Sequence, residues 1–128
     1  MKVILTLTEE QAHVLNRALD FYSRIQMGQF HEIRRMFNNH GSEDNVDFLL
    51  FSARNELIPG LKALGPNAYN GIFSPEVDDS ARACFDIIQA VRYKLAWKHE
   101  PKGGIQVDFD EPMHMSKMPM PIVELEDD

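Results

Sequence analysis

The chain is poor in the features that announce chemistry. It holds one cysteine, Cys84, in 128 residues, so no disulfide can close within it, and a reducing cytosol is the expected compartment. Positive charge is scarce: 13 Lys and Arg face 20 Asp and Glu, for a net charge of −7. A binder of long nucleic acid needs a basic surface to displace counterions, so DNA and RNA are excluded as extended partners. A small anion held by local arginines is not excluded, nor is an acidic surface that imitates DNA. No apolar run approaches the roughly 20 residues of a membrane span. The opening "MKVILTLTEE" carries a single Lys and too short an apolar run for a signal peptide. There is no G-x-S-x-G, no phosphate-cradling glycine loop and no H-E-x-x-H. His13, His31, His40, His99 and His114 are scattered, with no pair at i, i+4, so no metal site is expected. These absences point to a soluble, non-enzymatic protein that needs no cofactor.

What is present is an ordinary globular composition, 44% apolar and 26% charged, in a length suited to one core. Thr8 with Gln11 makes a capping box, and Glu9 and Glu10 load the first turn of a predicted helix over 9–27. Its broad apolar face holds Val14, Leu15, Ala18, Leu19, Phe21, Tyr22 and Ile25. Gly28 is a natural stop or kink, and residues 29–37 resume helical spacing through Phe30, Ile33 and Phe37. The stretch "NNHGSEDN" (38–45) reads as a turn-rich loop. A second helix over 46–57, capped by Asp44 or Asn45, lacks a clean apolar stripe and is expected to be buried on more than one side. Residues 62–75 form the least regular part of the chain. A third helix, capped by Ser74 with Pro75 at its first position, carries Val77, Ala81, Cys84, Ile88, Val91 and Leu95 as a helix-packing seam.

Residues 2–7 and 105–109 alternate apolar and polar, which predicts two strands, one near each end of the chain. Pairing them, with 122–125 as an optional third strand, buries Val3, Leu5, Leu7, Ile105, Val107 and Phe109 against the helices. The expected fold is mainly α (α+β): three principal helices, the first broken at Gly28, with a small sheet from the N-terminal and C-terminal strands. Residues 1–112 form the domain, and 113–128 form a Met- and Pro-rich arm with an acidic tail. Exposed strand edges and this arm favour a homodimer or higher homo-oligomer.

Arginines next to flat side chains supply the one combination that suggests a ligand. Arg82, Asp86, Gln89 and Tyr93 make a continuous polar stripe on the third helix, with Arg92 nearby. Arg17, Asp20 and Arg24 make another on the first. Guanidinium forks match phosphate and aromatic faces stack on bases. Arg24, Tyr69, Arg82, Arg92, Tyr93 and Trp97 are therefore candidate ligand-binding residues for a small anionic nucleotide, with "GPNAYNG" as a lid of backbone donors. The plainer reading is interhelical Arg–Asp pairing. Asp108 and Asp110 share one side of the predicted strand and have the chemistry for a divalent cation, against a plain reading as a polar outer face. Cys84 sits on the seam and reads as a small buried hydrophobe.

The stretches "LTEEQAHVLNRALDFYSRIQMGQFHEI", "GPNAYNGI" (65–72), "ARACFDIIQAVRYKLAW" (81–97) and "PKGGIQVDFDEP" (101–112) resemble a family of small bacteriophage-encoded proteins. The resemblance implies expression in the cytoplasm of an infected bacterium. Many such accessory proteins resemble counter-defence factors, some of which sequester nucleotide immune signals. The resemblance carries no site residues. Sequestration of such a signal is thus one expectation. An acidic protein–protein inhibitor or DNA mimic acting on a host factor is the other.

Overall fold

The computed structural model describes residues 1–37 and 43–128, the side chains of 43 and 44 excepted. Among the described residues there are four helices and no strand: α1 (Glu9–Gln26), α2 (His31–Arg35), α3 (Glu43–Leu57) and α4 (Asp79–His99). Short 3-10 turns sit at Pro59–Leu61 and Val107–Phe109.

The capping box that opens α1 forms as its residue types require. Gln11 N–H donates to the Thr8 hydroxyl at 3.1 Å, and Thr8 N–H donates to the Gln11 side chain at 3.0 Å. The helix closes in a Schellman motif: Gly28 N–H reaches the Ile25 carbonyl at 3.0 Å and Gln29 N–H the Arg24 carbonyl at 2.9 Å. Gly28 has φ of +94°, and a Cβ there would stand 2.7 Å from Leu61. The residue is needed both for its backbone angle and for the close approach of the Pro59–Leu61 turn.

α1 and α4 pack antiparallel. Ser23, fully buried, shares its hydroxyl between the Leu19 carbonyl and the Ala81 carbonyl across the crossing, both at 3.0 Å. Cys84 touches the same hydroxyl, and burial pushes its thiol pKa up, which suits packing and not nucleophilic attack. At the other end of the pair, His99 meets Glu9. Of the predicted seam, Val77, Ala81, Cys84 and Ile88 are buried, while Val91 and Leu95 are half-buried. Met27 joins Val77 and Ala81 to form the core, with Ile72 and Phe85 against it.

Four expectations are corrected. The small sheet does not exist: residues 2–7 and 122–125 lie in irregular backbone, and 105–109 closes into the Val107–Phe109 turn. The physical reason is local capture. Trp97 takes Phe109 edge-on at 5.5 Å and donates its indole N–H to the Phe109 carbonyl, while Arg92 holds Asp108 at 3.2 Å. Both side chains are drawn to α4, which an extended strand does not allow. Second, α4 starts at Asp79 with Asp78 as its cap; Ser74 instead caps a preceding turn by accepting from Glu76 N–H. Third, α3 is not buried on several sides: Phe48, Leu49 and Leu57 are each more than 60% exposed. Fourth, α3 begins at Glu43, so Asp44 and Asn45 lie within it and do not cap it. Most of the predicted loop 38–45, and His40 with it, lies outside the described residues.

Candidate interaction surface

The six residues proposed for a nucleotide do not converge. Arg24 donates to Asp20 at 2.8 Å and to Gln29 at 3.0 Å, with Glu32 at 3.9 Å. The Asp20 hydrogen bond, the leading cause, raises its pKa further, so this cation is held by acids. Tyr69 lies close enough to Arg24 to be felt electrostatically, but its ring is half-exposed. Arg82 is held by Asp79 at 2.8 Å and by the Ile72 carbonyl at 2.9 Å. Arg92 pairs with Asp108, and Trp97 is engaged by Phe109 and packs over Gly103. Tyr93 alone lines a cleft. Each of these arginines already has a carboxylate, but not across helices as the plainer reading has it: Asp20 and Asp79 lie on the arginine's own helix, and Asp108 lies in the turn after α4.

Nor is "GPNAYNG" a lid of free donors. Arg54, 1% exposed, donates to the carbonyls of Leu61, Leu64, Gly65 and Ala68 at 2.8–3.2 Å and to the Asn55 side chain. Its guanidinium lies 4.9 Å from the centre of the Phe51 ring. Asn70 N–H is taken by the Met27 carbonyl at 2.8 Å. The loop is therefore bolted to α1 and α3. Sequence reasoning passed over Arg54 because its acceptors are main-chain carbonyls, which leave no trace in residue type.

The polar stripe on α4 has a different occupant from the one predicted. Asp86, 1% exposed, accepts from Met115 N–H at 2.7 Å, Ser116 N–H at 3.2 Å and the Ser116 hydroxyl. Gln89 exchanges hydrogen bonds with the Met113 backbone at 3.0 and 3.2 Å, and Asp79 accepts from Lys117 N–H at 3.0 Å. The arm thus runs antiparallel along α4 from Trp97 to Asp79. It then returns, with Met120, Pro121 and Val123 beside Ala90, Tyr93 and Lys94, and ends with Asp127 on Lys98 at 2.6 Å. Between the two lanes and α4 lies an open cleft of about 290 Å³, closed at its other wall by Glu111 and Pro112. Its lining is mainly apolar, with one Lys and one Glu, and has no arginine.

Asp108 is paired with Arg92, and no group of three His, Cys, Asp or Glu suited to a metal ion occurs among the described residues. No helix among them is long and apolar enough to cross a membrane.

What the chain leaves open is apolar surface. Val3, Ile4 and Leu5 are 85%, 92% and 67% exposed, and no backbone group of residues 1–7 bonds to another described residue. Leu7 before α1, and Val14, Ala18 and Tyr22 at four-residue steps along it, are exposed as well. Met36 and Phe37, just after α2, and Phe48 and Leu49 on α3 are also exposed. The 14.7 kDa chain exposes 9598 Å². A compact monomer of that mass exposes about 6,900 Å². The excess is roughly three times the 800 Å² that each partner contributes to a standard interface.

No family model, curated protein or solved structure matches the chain.

Proposed function

We propose that this protein acts by non-catalytic protein–protein contact. The observation that carries the reading is the apolar surface of residues 3–7 and α1, which the chain itself leaves uncovered. Large exposed apolar surface marks interaction sites on soluble proteins. The resemblance to small bacteriophage proteins is in keeping with an accessory factor working in an infected cell.

Two neighbouring readings fit less well. A nucleotide sponge needs arginines free to take phosphate, and Arg24, Arg82 and Arg92 are each paired with an acid. A DNA mimic needs an array of open carboxylates, and Asp20, Asp47, Asp79 and Asp108, each against an arginine, are not available to one.

Size-exclusion chromatography with light scattering and native mass spectrometry test the proposal on the full chain. The expected result is a stoichiometric protein assembly, of copies of this chain or with a second protein. A monomer at about 100 µM (a contact weaker than roughly 5.5 kcal/mol) that also takes no stoichiometric partner from bacterial lysate overturns it.

A further inference from the structure

We propose that the occupant of the uncovered N-terminal segment is a second copy of this chain, paired antiparallel through residues 2–8 about a two-fold axis. This rests on the reading of the protein as an interaction protein and names its partner.

The argument begins with the backbone groups. Residues 1–7 make no backbone hydrogen bond to the described chain, while Thr8 N–H is already taken by the Gln11 side chain. An alternating segment in that state, once extended, is an edge on both sides. Val3, Leu5 and Leu7 share one face, so only registers whose paired residue numbers sum to an even value set that face against itself. A sum of 10 pairs Val3 with Leu7 of the other copy, Leu5 with Leu5, and Lys2 with Thr8. In antiparallel pairing, alternate opposed residues exchange both backbone hydrogen bonds. With Val3, Leu5 and Leu7 in the exchanging positions, Thr8 falls in a non-exchanging one. The pairing then stops at the donor that the helix cap has used.

Charge agrees. Each chain is negative, which opposes self-association, but Lys2 set opposite Thr8 brings its ammonium to the first turn of the other α1. Glu9 and Glu10 stand there. A two-stranded ribbon alone is marginal in water. Here α1 follows directly and exposes Val14, Ala18 and Tyr22 at four-residue steps, which offers the ribbon helix surface to lie on. The surface excess of the lone chain leaves ample area for such a contact.

The test uses the full chain and two kinds of variant. The expected wild-type mass is twice 14.7 kDa. Leu5→Asp, at an exposed position outside every helix, is expected to keep the circular dichroism of the wild type and to raise the dimer Kd at least about 100-fold, since it removes two buried leucines per dimer. Leu5→Cys is expected to form an intermolecular disulfide on mild oxidation, because directly opposed Cα atoms lie about 5.5 Å apart. Ile4→Cys is expected not to, because its two copies stand roughly 8 Å apart in this register. A dimer that survives Leu5→Asp overturns this inference and leaves the interaction reading standing. So does a chain that is monomeric alone but binds a different protein. Cross-linking by Ile4→Cys in place of Leu5→Cys overturns the register. A monomer with no partner overturns both.

Discussion

Arg54 is a permanent cation in the interior, surrounded by carbonyl oxygens and by no carboxylate among its described neighbours. Its removal strands four acceptors at once, and an apolar replacement cannot satisfy them. Arg54→Met is expected to cost roughly 3 kcal/mol or more in urea unfolding, and Arg54→Lys nearly as much, since one ammonium cannot span the fork's contacts. Gly28→Ala is expected to cost about 1–3 kcal/mol, because a side chain meets both a φ of +94° and Leu61 at 2.7 Å. These two positions show unequal legibility. Gly28 was readable as a helix stop, because few residues accept its backbone angle. The weight carried by Arg54 was not readable, because loop carbonyls of any sequence serve it equally well.

α4 organises the molecule by using each face differently. Small residues meet α1 on one side, and acids and amides hold the returning arm on another. Asp86→Ala is expected to free that arm, raising the rate of tryptic cleavage after Lys117 at least about tenfold while the helices persist. Acid acts at the same element. Hydrogen bonds from Ser80 and Arg82 hold the Asp78 and Asp79 carboxyls below the usual 3.8, and His99 holds Glu9 below 4.5. Folding favours the ionised form at all three. Their stabilisation is therefore present above those ordinary values and is lost as pH falls through the depressed ones. Melting temperature, followed between about pH 2 and 6, is expected to drop below about pH 4, and Asp79→Asn is expected to flatten the drop. The seam of α4 and the cap of α1 were legible because each is set by spacing within one helix. The strands were not. Alternation makes a strand possible, but only a partner makes it real, and for 105–109 the side chains of Trp97 and Arg92 competed for Phe109 and Asp108 and won. The pairing of the candidate arginines was not legible for a related reason. Residue type named the arginines correctly as cations but did not say which acids would reach them: Asp20 and Asp79 a turn away on the same helix, and Asp108 from the turn that folds back on α4.

At the scale of the whole molecule, one chain turns apolar side chains to water at its N-terminal segment, just after α2 and on α3. Calorimetric titration with cyclic and linear nucleotides is expected to give no binding tighter than about 100 µM, since each candidate guanidinium must first leave its acid. Deleting residues 113–128 is expected to destabilise the fold and not merely to remove a contact surface, because it leaves the Asp86 carboxylate without its three donors. What α4 reads in that strap is almost wholly main chain: the amides of Met113, Met115, Ser116 and Lys117, and the Met113 carbonyl. Side-chain identity between 113 and 118 is thus nearly invisible to the clasp, apart from Ser116 and His114, whose ring lies 3.8 Å from the Asp86 carboxylate and meets the Met118 carbonyl. Mutation is therefore free to rewrite those methionines generation after generation while the fastening stays shut, so the outward chemistry of this ribbon can change without unfastening it from α4.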